Sequence, residues 1–407
     1  MFTISKSPRI VLSGALAVAV LAISAGSGTS SQAQALPKVR LQLKWVTQAQ
    51  FAGYYAAAAQ GYYKDQGLDV EIKVGGPDIN PEQVVASGGA DFGIDWVPSL
   101  LSSRENGENI VDIAQVYARS GMREVSFKNK NIGSVTDLKG KNVGVWLGGN
   151  EFELFAALVK NNLDPQNPAD LTIIKQPFDM SLLLNGQVDA AAAMTYNEYA
   201  QVMEAVNPAT GKLYSAGDLN LIDFNQAGTA MLEDNIFAGA DWLAKSGNED
   251  IAVKFLAASF KGWAYARDHV TATAGIVVSQ GTALGMGHQI WQLNEVNKLI
   301  WPNSTGIGVL DPAAFQQTAD ISLKYKVISK APDAGAYRTD LATKALALLG
   351  PNFDAFGKNY TPLTVVVSAG GTDATVSGGA SATMSATMAG TMSAAMPAAT
   401  MAATTSY

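Results

Sequence analysis

Cysteine is absent from all 407 residues. That excludes disulfides, thiolate metal sites and a cysteine nucleophile. It equally excludes an anchor built on a lipid-modified cysteine. Histidine is almost absent: His269 ends one helical pattern and His288 begins another. Neither lies in a serine or carboxylate pattern that suggests a triad. No H-E-x-x-H, P-loop or G-x-G-x-x-G stands in the context that would give it meaning. Runs of Lys and Arg are missing, and the net charge is −7, which argues against nucleic acid and mainly means solubility. The exclusions leave no catalytic residue, no metal ligand and no cofactor to assign.

The two ends do not read as globular. Lys6 and Arg9 precede an apolar run from Ile10 to Ile23, followed by a small, polar stretch ending Ala33-Gln34-Ala35. This is the layout of a secretory signal, expected over 1–35 and cut after Ala35. Its apolar run is short for a bilayer span, and no other stretch is long and apolar enough. At the far end, residues 367–407 are almost only Ala, Ser, Thr, Gly and Met, with one charge, Asp373. Such a composition is expected to stay disordered. Met384, Met388, Met392 and Met396 recur every four residues. Thioethers suit Cu(I), and the same composition suits a tether or spacer.

Between the ends, a strand pattern runs four times into an aromatic residue: Val39–Lys44 into Trp45, Asp91–Asp95 into Trp96, Asn142–Val145 into Trp146, and Val188–Thr195 into Tyr196. Helical patterns follow within a few residues, so these read as βα units of parallel sheets. In open α/β sheets a ligand sits beyond the carboxyl ends of the strands. Rings converging there suit a flat, partly apolar ligand. A single such ring could equally cap the core; the recurrence carries the reading.

Alternation gives strands at 39–45, 68–74, 91–95 and 110–117, then 141–146, 171–175, 188–194 and 219–223. Helices are expected at 53–66, 81–88, 97–106, 151–163, 179–185 and 197–206, and later at 249–268, 288–300, 312–325 and 339–349. The stretch Ala86-Ser87-Gly88-Gly89-Ala90-Asp91-Phe92 echoes Leu184-Asn185-Gly186-Gln187-Val188-Asp189-Ala190. Both read as a helix end, a glycine in the left-handed turn, and an Asp that opens a strand. The fold class is therefore α/β, with two matched lobes facing each other across a cleft. Residues 37–128 begin the first lobe, 129–226 form the second, and 227–366, mainly helical, complete the first.

The opening Leu41-Gln42-Leu43-Lys44-Trp45 through Gln50-Phe51-Ala52-Gly53-Tyr54-Tyr55 resembles that of the NMT1/THI5-like solute-binding proteins. So do Gln60-Gly61-Tyr62-Tyr63-Lys64, Gly75-Gly76-Pro77-Asp78, Gly88-Gly89-Ala90-Asp91-Phe92-Gly93 and Asp137-Leu138-Lys139-Gly140-Lys141. The resemblance covers roughly 38–270. It implies the two-lobe periplasmic-binding-protein fold, type II-like, with the ligand cleft between the lobes. It also implies the substrate-binding part of an ABC importer, a monomer in the periplasm or cell envelope that delivers to permease and ATPase subunits. The fungal enzymes of this family use their own histidine and a Cys-rich motif to build a pyrimidine. The absence of Cys, and of His before 269, sets this chain apart from them. The pyrimidine importers follow the first Trp with Pro-Asn and then His; here Thr47-Gln48-Ala49-Gln50-Phe51 stands instead.

Trp45, Trp96, Trp146 and Tyr196 are expected as stacking surfaces, with Tyr54 as a further wall. Gln48, Gln50, Asn150 and Glu198 are expected as hydrogen-bonding groups. The turn Gly148-Gly149-Asn150 follows a strand and opens a helix, so its N–H groups could hold a carbonyl, hydroxyl or anion. That much ring surface suits an isoalloxazine, so riboflavin is the expected ligand. A thiamine-precursor pyrimidine or an alkanesulfonate is the alternative, and a sensory protein with the same ligand is a further one.

Overall fold

The computed structural model describes residues 36–378. The expected signal sequence and the methionine repeat lie outside the described residues. Strands β1 (Lys38–Gln42), β2 (Asp69–Lys73), β3 (Phe92–Asp95) and β4 (Ile110–Gln115) form the first lobe's sheet together with β10 (Asn235–Gly239). Their order is β2-β1-β3-β10-β4. Strands β5 (Met122–Phe127), β6 (Asn142–Val145), β7 (Thr172–Lys175), β8 (Ala190–Met194) and β9 (Leu219–Asp223) form the second sheet, ordered β7-β6-β8-β5-β9. The two orders are the same pattern. The echoed segments lead into β3 and β8, each third in its sheet, and Gly88 and Gly186 both take the left-handed turn, at φ 76 and 70.

The sheets are mixed, not parallel throughout. β10 runs antiparallel to β3 and β4, and β5 antiparallel to β8 and β9. The reason is connectivity. A chain leaving one lobe at the cleft enters the other from its cleft side, so the first strand it forms must point away. This also corrects the lobe boundary. Strand β5 belongs to the second sheet, so the chain crosses near 116–121 and not at 128. The pattern of β5, Met-Arg-Glu-Val-Ser-Phe, hides its strand character because Glu124 is charged in type yet fully buried.

A second correction concerns the tail. Thr364–Val367 (β11) and Ala374–Ser377 (β12) pair as an antiparallel hairpin. Val365 and Val367 turn into the core, and small residues let backbones meet. A Cβ on Gly287 would lie 2.0 Å from the Asp373 carbonyl oxygen. Low side-chain content therefore does not prevent order where backbone packs on backbone. Helix Val270–Ser279 is likewise absent from the sequence reading; its β-branched content masks it.

Helix Asn248–Asp268 crosses helix Ala52–Ala59 at very close range. A Cβ on Gly262 would stand 2.1 Å from the Gly53 carbonyl oxygen, and one on Gly53 would stand 2.1 Å from Cδ2 of the Trp263 ring. The glycine of the Phe51-Ala52-Gly53-Tyr54 motif is thus a packing requirement. Gly262→Ala should lower stability by about 1–3 kcal/mol through overpacking. Gly275→Ala, whose added Cβ meets nothing nearer than 4.0 Å, should stabilise by a few tenths to about 1 kcal/mol. Denaturant unfolding of the two variants checks the pair; equal shifts would refute the close crossing.

Candidate functional site in the cleft between the lobes

Each strand end delivers a side chain to the cleft. Past β1, Lys44 bonds the Asp95 carboxylate that ends β3, and its ammonium stands 5.2 Å from the Trp96 ring centre. Asp95 Oδ1 also accepts the Trp96 backbone N–H at 2.7 Å. The Trp96 indole donates to Asp234 Oδ1 at 3.0 Å, and Gln50 Nε2 donates to Asp234 Oδ2 at 2.9 Å. Gln48 Nε2 in turn donates to Gln50 Oε1 at 2.7 Å. From the second lobe, Asn197 Nδ2 reaches Gln48 Oε1 at 3.4 Å and Glu198 Oε1 at 2.7 Å. The Met194 N–H donates to Glu198 Oε2 at 3.0 Å. One chain of side-chain amides and carboxylates therefore runs across the cleft.

Trp45, Gln48, Gln50, Trp96, Trp146, Asn150, Tyr196 and Glu198 line a single inner cavity of about 30 Å³, joined by Lys44, Met194 and Asn197. That is roughly the room of one or two waters, so the lobes stand closed. The Trp146 indole is anchored on the Pro177 carbonyl at 2.9 Å. Lys44, Trp45, Trp146 and Asn150 also line an adjoining groove of about 400 Å³, with Asp78, Asn80, Lys175 and Gln176 among its polar walls.

Three expected residues fall elsewhere. Tyr54 is buried in the core, edge-on to Trp263 at 5.5 Å between ring centres. The helix it sits on turns that face toward helix Asn248–Asp268. The Gly148 and Gly149 N–H groups are not free for a ligand, because Glu151 Oε2 accepts both at 3.0 and 2.8 Å. Gly148 lines the outer groove only, and Gly149 packs against Ser99 of the first lobe. Sequence reading missed Lys44, Met194 and Asp234. Lys44 could have been found from its place beside Trp45. Asp234 gave no local signal, since it comes in on the return crossing.

Burial governs the acids. Glu198 is pushed up to about 8 by desolvation, against the Met194 N–H and Asn197 that favour its charge. Asp234 is pushed up to about 7 by the same cause, against Gln50, Lys44 and Trp96. Its backbone sits at φ 26, a left-handed conformation that Asp tolerates better than most residues. Its neighbour Glu233 belongs to the crossing itself. Ser120 Oγ lies 2.9 Å from both Glu153 Oε2 and Glu233 Oε1. One hydroxyl proton cannot serve two carboxylates, so one of the acids carries a proton. Glu233 accepts the Gly121 and Met122 N–H groups and is the better anion. Glu153 accepts one N–H, from Met231 at 2.7 Å, and holds the proton; burial and the Glu233 charge push it well up.

A family model described as NMT1/THI5 like matches residues 48–272, more than half of the chain. The chain belongs to the NMT1/THI5-like family. Within it, the chain is 32% identical over 135 residues to the formylaminopyrimidine-binding protein of Halalkalibacterium halodurans, covering 33% of this chain and 40% of that protein. It is 28% identical over 177 residues to the riboflavin-binding protein RibY of Chloroflexus aurantiacus, covering 41% and 48%. The match thus spans less than half the length of each of these curated relatives. The periplasmic aliphatic sulphonate binding protein SsuA of Escherichia coli superposes with a TM-score of 0.55 at 16% identity, over 74% of this chain and 92% of that one. This likeness establishes the two-lobe periplasmic-binding-protein fold for this NMT1/THI5-like chain.

The buried acids set a pH dependence. Burial raises Glu198 from 4.5 to about 8 in the folded state. Its contribution is full below the unfolded value and is lost as pH rises through about 8. Glu153 and Asp234 act in the same direction. Thermal stability should therefore fall between pH 5 and pH 8.5, each such group contributing at most about 1.4 kcal/mol per pH unit. Glu153→Gln can donate to Ser120 without a titrating proton, so it should flatten that fall. Melting curves at the two pH values check it; an unchanged slope in the variant would remove the pair from the account.

Proposed function

We propose that the protein is the substrate-binding component of an ABC importer, that it performs no catalysis, and that its ligand is riboflavin. The observation that carries the ligand reading is the junction of two compartments. An aromatic inner slot opens, past the shared Lys44, Trp45, Trp146 and Asn150, into a larger polar groove. A flat ring system with a polyhydroxylated chain has the same two parts: faces for Trp45, Trp146 and Tyr196, and hydroxyls for the groove. The wall electrostatics support a neutral ligand that carries N–H and O–H donors. Lys44 is the cation on the inner wall and is already paired with Asp95, while Glu198 stands on that wall as an acceptor. A sulfonate would lack a free cation to pair with on that wall.

A ring enters a space of about 30 Å³ only when the lobes part, so binding goes with opening and closing about the crossings near 116–121 and 224–234. Export to the periplasm or cell envelope and delivery to a permease coupled to an ATPase belong to this reading; among the described residues no helix is long and apolar enough to cross a membrane. A second reading has its own support. Paired acceptors such as Glu198 Oε1 and Gln48 Oε1 also suit the amino group of a thiamine-precursor pyrimidine, and the inner slot is small.

Riboflavin added to the purified protein should lose much of its fluorescence by stacking on Trp. Trp45→Ala removes a partly buried ring and should weaken binding roughly tenfold to a hundredfold, by analogy with base stacking. Unchanged flavin emission, together with a melting temperature raised by formylaminopyrimidine, would replace riboflavin with the pyrimidine. A raised melting temperature with an alkanesulfonate alone would overturn both. Mass spectrometry of the bound ligand after incubation checks the absence of turnover.

A further inference from the structure

Helix Met286–Ile300 lies beyond the matched segment 48–272, yet it holds one cavity-facing turn from each lobe. On one side, Gln289 Oε1 and Gln292 Oε1 accept the Ala49 N–H at 2.6 and 2.8 Å. Ala49 is the residue between Gln48 and Gln50. On the other side, His288 Nε2 lies 2.9 Å from Asn197 Oδ1, and His288 Nδ1 lies 2.8 Å from Glu204 Oε1. Asn197 precedes Glu198. All three helix residues are fully buried, and residues four apart share a helix face. One rigid element thus grips a ligand-facing turn of each lobe.

We propose that His288 is a positioning residue for ligand recognition. An Asn amide has two orientations of nearly equal shape, and its partners choose between them. Here Gln201 Nε2 donates to Asn197 Oδ1 at 3.2 Å, and His288 Nε2, 2.9 Å from the same oxygen, supports that orientation in the ring form that carries its proton on Nε2. This turns Nδ2 toward Glu198 Oε1 and Gln48 Oε1. The reversed amide would set its NH2 against the Gln201 donor and its oxygen against the Glu198 carboxylate. Glu204 fixes the ring from its far side. His288 therefore sets the pattern of donors and acceptors that Asn197, Glu198 and Gln48 show to the ligand, without touching the ligand itself.

The inference rests on the ligand reading above, and a double-mutant cycle on the dissociation constant tests it. Titrations use riboflavin and, separately, formylaminopyrimidine. His288→Leu should weaken the bound compound about tenfold, the scale of one lost buried hydrogen bond with its unpaired partner. Asn197→Ala should weaken it too, and His288→Leu added to Asn197→Ala should cost little more. His288→Gln keeps an N–H donor and should recover most of the affinity. Additive losses, or a full loss in His288→Gln with an intact fold, would make His288 merely structural and overturn the proposal. If the wild type binds neither compound, the ligand reading fails, and nitrogen NMR of the free protein decides. The Asn197 side-chain amide, identified by its disappearance in Asn197→Ala, should shift and exchange faster in His288→Gln or His288→Leu. An amide signal unmoved in both would overturn the proposal.

Discussion

The cleft depends on one buried carboxylate. Asp234 takes the Trp96 indole proton on Oδ1 and the Gln50 amide on Oδ2. It therefore fixes the orientation of one ring and the start of the amide chain that crosses to the second lobe. Removing such an acceptor would leave both an indole and an amide unpaired away from water, a cost of about 1–3 kcal/mol for each group. Asp234 is also the residue after Glu233, and Glu233 is held by Ser120, Gly121 and Met122 where the chain first crosses. The geometry of the crossing and the geometry of the site are thus tied through a single peptide unit.

That tie gives lobe closure its physical content. If the lobes part, the Ser99–Gly149 and Gln48–Asn197 contacts, at 3.5 and 3.4 Å, are the long, weak ones that break first. The short ones between the lobes lie at helix Met286–Ile300, where His288 stands 2.9 Å from Asn197 and 2.8 Å from Glu204 and the Trp291 indole donates to the Thr195 carbonyl at 3.0 Å. The Ser99 and Gln48 contacts therefore tie the lobes lightly, and the helix ties them firmly. The carboxylates add a constraint of their own. Glu153 and Glu233 cannot both face one serine hydroxyl as anions, so the crossing carries a proton that the solvent would otherwise hold.

Much of this was legible in the sequence, and the reasons for success and failure are physical. The aromatic residues at strand ends were readable because strand period and helix onset fix where a side chain must stand. Trp45, Trp96, Trp146 and Tyr196 accordingly meet at one cavity. The Gly88 and Gly186 joints were readable because only glycine enters that turn without strain. Tyr54 misled because a helix adjacent to the site has two faces, and its face was set by Trp263, more than two hundred residues away. Gly148 and Gly149 misled because Glu151 lies close enough in the chain to take the free N–H groups first. Strand β5 was hard to read because the buried Glu124 interrupts its apolar pattern, and β10 because it follows two acids, Glu233 and Asp234, that serve the crossing and the site.

The polar walls limit what the cleft can hold more sharply than its rings do. Aromatic faces accept almost any flat molecule, since stacking is tolerant of ring identity. A buried acceptor is not tolerant. Glu198 already receives the Met194 N–H and the Asn197 amide, and behind the wall Asp234 holds Trp96 and Gln50, so these acids keep little free capacity and none of it is donor capacity while ionised. A guest that presents only acceptors toward them must desolvate carboxylates without return. A guest that presents N–H or O–H groups gains charge-assisted bonds in a site of low dielectric. Because burial lifts these acids to about 7 and about 8, a proton can also sit on the carboxyl and reverse its role. The choice between an imide edge and an amino edge in the guest therefore depends on protons as well as shape.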